Sequence, residues 1–137
     1  MNVSICSRNA ETLEKTRAEM ARFGHKAHAA TCDLAKEAEI ARYIPDAVTT
    51  LGGLDVLVNN AGISGSAEKD LYDTAAWKRL MDINSTGVFL GMKHGIAAMK
   101  KAGTRGSVIN LSSISGIVGQ GYIHVGYNAS KGAVRMI

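Results

Sequence analysis

The chain has 137 residues, of which 46% are hydrophobic, and this is enough apolar material for one core of ordinary domain size. Its formal net charge is +4, and the basic residues are scattered along the sequence, so they do not predict a nucleic-acid-binding patch. The sequence has no charged leader before a long apolar run and no apolar stretch near the roughly 18 residues of a membrane helix, so we expect a soluble, cytoplasmic protein without a membrane partner.

Hydrophobic patterning predicts four strands that alternate with four helices. The predicted strands are residues 3–7, 27–32, 54–58 and 107–111. The predicted helices are residues 10–23, 36–51 and 74–102, and a last one from about 127. Pro45 is expected to kink or restart the second helix, and the third is expected to be interrupted near Asp82. The third strand is almost wholly apolar, which is typical of a strand covered on both faces.

This alternation predicts an α/β fold in which a parallel sheet has right-handed crossovers and helices on both faces. In such sheets, ligands bind beyond the carboxyl ends of the strands. The segments that follow the four predicted strands carry the unusual polar residues: Ser7-Arg8, Asp33, Asn59-Asn60-Ala61-Gly62 and Ser112-Ser113. We therefore expect a ligand site at this edge of the sheet.

Two cysteines, Cys6 and Cys32, lie in apolar strand-like segments. Their spacing is not that of a metal site, and we interpret them as reduced thiols of the core. No other cluster in the sequence predicts a bound metal.

The third predicted helix carries two apolar stripes, which indicate either a partner or a broad core face. One stripe is Leu80, Ile83, Gly87 and Leu90, and the other is Met81, Val88, Met92, Ile96 and Met99. If one stripe packs on the sheet of its own chain, the second is free for a homo-oligomer contact. A single wide face turned to the core is the alternative.

Tyr127 and Lys131 are four residues apart and would share one face of the last helix. An ammonium beside a phenol can lower the phenol pKa from about 10 toward neutrality, so that the hydroxyl can exchange a proton with an alcohol or carbonyl oxygen. The spacing alone is weak evidence, because many solvated helix faces carry it. Tyr122 and His124, just upstream, are predicted to be exposed loop residues, with a place at the border of a substrate pocket as the alternative.

Asn59-Asn60-Ala61-Gly62, Asn84, Ser113 and Tyr127-x-x-x-Lys131, in this order, resemble the short-chain dehydrogenase/reductase family in its common single-domain branch. The resemblance implies a Rossmann-like, doubly wound parallel sheet. It also implies a reversible hydride transfer between nicotinamide C4 and the carbon of a secondary alcohol or ketone.

The resemblance assigns a role to each of four residues. Tyr127 would be the general acid/base, and Lys131 would lower its pKa and hydrogen-bond the nicotinamide ribose. Ser113 would hold the substrate oxygen, with Ser112 as the alternative because the segment from Ser113 to Tyr127 is one position longer than is common in the family. Asn84 would position a water of the proton relay.

The same resemblance predicts the cofactor contacts. Asp33-Leu34 would contact the adenine, and Asn60, Ala61 and Gly62 would line the adenine ribose. Arg8 follows the first strand where an NAD-binding member would carry a carboxylate, so NADP is favoured and NAD remains possible.

The chain departs from the family pattern at both ends. It lacks the first strand with its glycine-rich turn, Thr-Gly-x-x-x-Gly-x-Gly, and it lacks the C-terminal strands. Residues 1–137 are therefore expected to be the central part of one NAD(P)-binding domain whose flanking strands lack their shared neighbour. We expect this piece alone to bind dinucleotide poorly and to be inactive, and the complete protein to be a homo-oligomer, a dimer or tetramer.

The sequence has two other interpretations. A truncated, non-catalytic Rossmann-like module that serves association is the alternative to an enzyme. The larger epimerase-like relatives are disfavoured by the Asn-Asn-Ala-Gly run. The small-molecule alcohol or ketone substrate stays open among a 3-oxoacyl thioester, a steroid and a simple cyclic alcohol.

Overall fold

The computed structural model describes all residues from Met1 to Ile137 as alternating strands and helices. The strands are β1 (Val3–Ser7), β2 (Ala27–Thr31), β3 (Val56–Asn59) and β4 (Ser107–Asn110). The helices are α1 (Ala10–Ala21), α2 (Glu37–Leu51), α3 (Thr74–Met81), α4 (Gly87–Ala102) and α5 (Val125–Met136). A π-helical turn, Asp82–Thr86, joins α3 to α4, and a 3-10 turn, Ile114–Gly116, follows β4.

The predicted elements are confirmed, with their ends shifted by two residues or fewer at most boundaries. The interruption predicted near Asp82 is the π-helical turn that starts at this residue. The expected restart at Pro45 is wrong, because α2 is one continuous helix through the proline. Pro45 lacks one N–H donor, but the apolar face formed by the buried Ile40 and Ile44 holds the helix together across it.

The strands pair as β1–β2 and as β3–β4, in two sheets of two strands. The β1–β2 pair is parallel, with Cys6 opposite Ala30. The β3–β4 pair is parallel too, since its hydrogen bonds advance along both segments in the same direction: Ser107 N–H to the Asp55 oxygen and Leu111 N–H to the Asn59 oxygen. The predicted parallel α/β architecture is confirmed.

Contacts divide the chain into two compact units, and the division falls within β3, α4 and β4. The first unit comprises Met1–Val56 and Lys93–Ser107. Its core is formed by side chains of α1, α2, α4 and the end of β2: Leu13, Cys32, Ile40, Ile44, Ala47 and Met99. A polar network fastens α2 to the strands, because the Ser4 hydroxyl lies 2.6 Å from Tyr43 Oη and 2.8 Å from His28 Nδ1.

The second unit comprises Leu57–Met92 and Val108–Ile137. Its apolar core comes from α3, α4, α5 and the loop before α5: Ala76, Leu80, Val88, Leu90, Ile123 and Val134. The side-chain amide of Asn59 donates to Asn110 Oδ1 at 2.8 Å, which adds a side-chain hydrogen bond between β3 and β4. All of the residues predicted to carry the reaction belong to this unit.

One face of the β3–β4 pair is open, which corrects the expectation that the third strand is covered on both faces. Val58 is 51% exposed and Ile109 is 47% exposed, whereas Leu57 and Val108 on the other face are half-buried. No described element packs over the outer face. The apolar composition of β3 therefore predicted more burial of this strand than the structure shows.

Both apolar stripes of the third predicted helix are buried or half-buried in the chain. This matches the broad core face more closely than a second, free stripe. Phe89, between them, is 53% exposed. None of the helices combines the length and apolar composition needed to cross a bilayer.

Candidate functional site

Asn84 lies in the π-helical turn and is fully buried. Its Oδ1 accepts the Ile63 N–H at 2.8 Å, and its Nδ2 donates to the Ile63 carbonyl oxygen at 2.8 Å. One side chain thus satisfies both main-chain groups of Ile63, the way a neighbouring strand would. The Asn84 amide thereby fixes the loop that follows the Asn59-Asn60-Ala61-Gly62 segment.

The same amide reaches the helix that carries the tyrosine and the lysine. Asn84 Nδ2 lies 3.1 Å from Ser130 Oγ, and Ser130 Oγ donates in turn to the Tyr127 carbonyl oxygen at 2.8 Å. Asn84 and Ser130 are both completely buried, so water does not compete for these bonds. The π-helical turn and α5 are therefore connected through side chains, one turn from Tyr127.

Tyr127 and Lys131 lie on the same face of α5, as the spacing predicts. Lys131 Nζ is 5.9 Å from the centroid of the Tyr127 ring and donates to the Leu111 carbonyl oxygen at 2.8 Å. Burial lowers the pKa of Lys131, because the ammonium has lost much of its hydration. A charged group in such surroundings interacts more strongly with its neighbours than one in water.

The two serines after β4 have different partners. Ser112 Oγ donates its proton to the Lys131 carbonyl oxygen at 2.7 Å. Ser113 Oγ accepts the N–H of Ser115 at 3.2 Å, and its own proton remains available for another acceptor. Ser112 is therefore committed to holding the strand end against α5, whereas Ser113 can still donate.

Glycines permit two close approaches around this cluster. A Cβ on Gly116 would lie 2.5 Å from the Lys131 carbonyl oxygen, so only glycine lets the 3-10 turn touch α5. A Cβ on Gly62 would lie 3.0 Å from Asn84 Oδ1 and 3.7 Å from Lys131 Nζ. A side chain at Gly62 would therefore crowd the Asn84 amide and approach the ammonium.

The residues predicted to contact a dinucleotide fall in both units. Asn60, Ala61 and Gly62 follow β3 in the second unit and are exposed. In the first unit, Arg8 is exposed directly after β1, and Leu34 is half-buried after β2.

Asp33, the remaining predicted contact of the first unit, is half-buried and rigidly held. Its main-chain N–H donates to Glu39 Oε2 at 2.7 Å, and its Oδ1 accepts the Ala35 N–H at 3.1 Å. The bond from the Asp33 main chain is the largest cause of the lowered pKa of Glu39. The turn after β2 is thus held by the Asp33 side chain and by Glu39 of α2.

The sequence interpretation missed two residues of this cluster, Ser130 and His124. Ser130 could have been found, since it lies three positions after Tyr127 on the same helix. His124 was predicted to be an exposed loop residue, and this is wrong. It is fully buried and caps α5, with Nδ1 accepting the Gly126 N–H at 3.0 Å. Histidine is not among the preferred N-cap residues, so no sequence signal pointed to this position.

Comparisons with known proteins identify what the chain is similar to. A family model described as short chain dehydrogenase matches residues 1–137. A 3-alpha-(or 20-beta)-hydroxysteroid dehydrogenase of Mycobacterium tuberculosis is 43% identical over 122 residues, which cover 89% of this chain and 46% of the relative. An NADP-dependent (R)-specific alcohol dehydrogenase of Lentilactobacillus kefiri is 40% identical over 105 residues, covering 77% of this chain and 41% of that protein.

A solved structure gives the same result for the fold. The crystal structure of an NAD+-bound xylitol dehydrogenase matches with a TM-score of 0.86 at 28% identity, covering 97% of this chain and 51% of that one. The chain therefore spans about half the length of the relatives and the structure that it matches.

Proposed function

Because the chain belongs to the short-chain dehydrogenase family, we propose that its second unit carries the catalytic residues of an NAD(P)-dependent oxidoreductase that interconverts a secondary alcohol and a ketone. The observation that carries this proposal is the cluster around Lys131. Its buried ammonium lies 5.9 Å from the centroid of the Tyr127 ring and donates at 2.8 Å to the carbonyl oxygen of Leu111, the residue before the two serines.

Tyr127 is the general acid/base of the proposed reaction. When a ketone is reduced, the phenol gives its proton to the carbonyl oxygen, and when an alcohol is oxidised, the phenolate takes the proton back. A nicotinamide dinucleotide, when bound, supplies or accepts the hydride.

Ser113 holds the substrate oxygen. Its hydroxyl accepts from Ser115 and has a free proton to donate as negative charge develops on that oxygen. Ser112 is the weaker choice, because its proton is already donated within the protein.

Asn84 acts by position in this proposal. Both of its N–H groups are used, one toward Ile63 and one toward Ser130. The side chain has only a lone pair of Oδ1 left for a relay water, so its main contribution is to hold the loop at Gly62 and α5 at fixed places around the substrate.

NADP is the proposed cofactor, with Arg8 as the residue that recognises the 2′-phosphate. Arg8 is exposed, and no carboxylate occupies the end of β1. Lys131 would bind the nicotinamide ribose, Asp33 and Leu34 would contact the adenine, and Asn60, Ala61 and Gly62 would line its ribose. Arg8→Ala is expected to raise the KM for NADPH at least about tenfold, the loss of one charge-assisted bond, with little effect on NADH. Arg22→Ala, at an exposed arginine that ends α1, is the matched control.

The test of the proposed function is turnover of the protein at the full length that its gene encodes. It should be assayed with NADP and NAD against a hydroxysteroid, a simple cyclic alcohol, a short secondary alcohol and a 3-oxoacyl thioester. We expect oxidation or reduction of at least one class, faster with the 2′-phosphorylated cofactor. The absence of any turnover, with correctly folded protein and measurable NADPH binding, would refute an enzymatic role.

A non-catalytic association module is the second candidate. The half-exposed apolar side chains Val58 and Ile109 favour it, because they give the β3–β4 pair a surface that a partner could cover. This candidate predicts a stable oligomer that does not dissociate at low micromolar concentration, and no turnover that Tyr127→Phe could abolish. A homo-oligomer of an active enzyme remains our expectation.

A further inference from the structure

His124 is a fully buried imidazole that the proposed reaction does not use. Nδ1 accepts the Gly126 N–H at 3.0 Å, and Nε2 lies 3.0 Å from the Asp73 carbonyl oxygen. A main-chain N–H can only donate and a carbonyl can only accept, so the single ring proton must be on Nε2. The ring is therefore neutral, and both of its nitrogens are occupied within the protein.

The ring connects the starting points of two helices. Asp73 is the N-cap of α3, where its carboxylate accepts the Ala76 N–H at 2.7 Å, and His124 is the N-cap of α5. A main-chain bond from the Val125 N–H to the Leu71 oxygen, at 3.1 Å, runs beside this contact. The first turns of α3 and α5 are thus tied together by one side chain and one main-chain bond.

The packing at this junction leaves little room for adjustment. A Cβ on Gly126 would lie 3.2 Å from Trp77 Cα, which shows how closely the backbone of α5 approaches α3. A Cβ on Gly65 would lie 3.1 Å from the His124 Cβ and 3.1 Å from a methyl of Leu80. The imidazole is held on several sides as well as at its two nitrogens.

Tyr127 lies midway between two fixed points on α5. His124 is three residues before it, and Ser130, which Asn84 contacts, is three residues after it. Each anchor is about 4.5 Å from Tyr127 along the helix axis, at 1.5 Å per residue. The other side-chain bonds of α5 are made at residues after Tyr127, such as Asn128 and Lys131, so the His124 ring is the side chain that fixes the end of the helix before Tyr127.

We infer that His124 is a positioning residue: its neutral imidazole latches α5 to α3, so that Tyr127 on one helix and Asn84 beyond the other keep a fixed geometry around the substrate. This inference rests on the proposed function, since it assigns the latch to the reaction of Tyr127. His124 itself touches neither substrate nor cofactor.

Two substitutions separate the two bonds of the latch. His124→Asn places an amide oxygen near the position of Nδ1, so it can keep the cap on Gly126 but is too short to reach Asp73. His124→Gln places an amide N–H near the position of Nε2, so it can keep the Asp73 bond but lose the cap. His124→Ala loses both bonds, and His25→Ala, at an exposed histidine, is the control.

The variants should be compared in the full-length protein, well below the unfolding midpoint of each one. We expect His124→Asn to lose about tenfold or more in kcat, with the KM for the alcohol and the Kd for NADPH changed by less than about threefold, because misplacement of a catalytic group by about 1 Å costs up to about 100-fold. His25→Ala should match the wild type. Wild-type kcat in His124→Asn would overturn the latch, because the helix cap alone would then be sufficient.

Two further measurements keep the outcomes distinct. A long-range proton–nitrogen spectrum of the wild-type imidazoles should show His124 with the proton on Nε2, and a proton on Nδ1 at neutral pH would overturn the inference without any enzyme assay. Tyr127→Phe separates the two proposals. If it retains full turnover, the proposed function fails; if it abolishes turnover while His124→Asn is fully active, only the latch fails.

Discussion

Asn84→Ala removes three hydrogen bonds at once, and the structure allows its cost to be estimated. The Ile63 N–H and carbonyl each lose their only side-chain partner, and Ser130 loses a donor. A buried polar group left without a partner costs about 1–3 kcal/mol. Because Ile63 is only half-buried, the lower end applies to each of its two groups. With the lost bond to Ser130, we expect a loss of about 3 kcal/mol in the free energy of unfolding.

The assay is urea unfolding of the full-length protein, together with hydrogen exchange of the Ile63 amide. Exchange of this amide should accelerate by about 10- to 100-fold, since a factor of ten corresponds to about 1.4 kcal/mol. Ser85→Ala, in the same π-helical turn, is the matched control and should change stability by less than about 0.5 kcal/mol.

Asn84→Asp is the sharper comparison. It keeps the volume of the side chain and the acceptor for the Ile63 N–H, but its carboxylate would face the Ile63 carbonyl oxygen that Nδ2 now contacts at 2.8 Å. We expect this variant to be at least as unstable as Asn84→Ala at neutral pH. If Asn84→Asp unfolds like the wild type, and Ile63 exchange is unchanged in both variants, the reasoning about the amide clamp is refuted.

Three other predictions follow from the geometry. Gly116→Ala should lower the free energy of unfolding by about 1–3 kcal/mol, because its Cβ would lie 2.5 Å from a main-chain oxygen of α5, whereas Gly119→Ala, with nothing within 4 Å, should be near neutral in the same thermal melt. Burial raises the pKa of the Cys32 thiol from 9.0 to about 12, so the unfolded chain loses this proton at lower pH than the folded chain does. The free energy of unfolding should therefore fall by about 1.4 kcal/mol per pH unit between about pH 9 and pH 12. A free energy of unfolding that stays constant over this range would contradict the buried thiol. In full-length protein, Ser113→Ala should abolish most turnover and Ser112→Ala should mainly lower the melting temperature, and the reverse pattern would assign the substrate contact to the other serine.

The sequence predicted the elements of the fold because these depend on local patterns, whereas the candidate site residues were predicted from the resemblance to the family. The period of the hydrophobic residues and the positions of glycine predicted where the strands and helices lie. The spacing of Tyr127 and Lys131 placed both on one face of α5. The interruption near Asp82 was visible because polar residues enter an apolar helix there. The identification of that interruption as a π-helical turn needed the structure.

The remaining features depend on which segments meet in space. From the sequence, His124 is typical of a loop residue. In the structure its Nδ1 accepts the Gly126 N–H, and its Nε2 contacts the carbonyl oxygen of Asp73, which lies more than fifty positions earlier in the chain. The exposure of Val58 reflects the absence of a covering element among these residues, which an apolar run cannot reveal. Pro45 was expected to kink or restart α2, but the helix continues through it, because burial of its apolar face outweighs one missing donor.

The central claim, that Tyr127 exchanges the proton of a carbonyl or alcohol oxygen, is tested most directly by the turnover of Tyr127→Phe in the full-length protein. The substitution removes one hydroxyl oxygen and leaves the helix, the Ser130 bond to the Tyr127 main chain and the Lys131 anchor in place. We predict that kcat falls by about 100- to 10,000-fold, the usual contribution of a positioned acid or base, while the Kd for NADPH stays within about threefold of the wild type. A Tyr127→Phe variant that turns over at more than about a tenth of the wild-type rate would contradict the account.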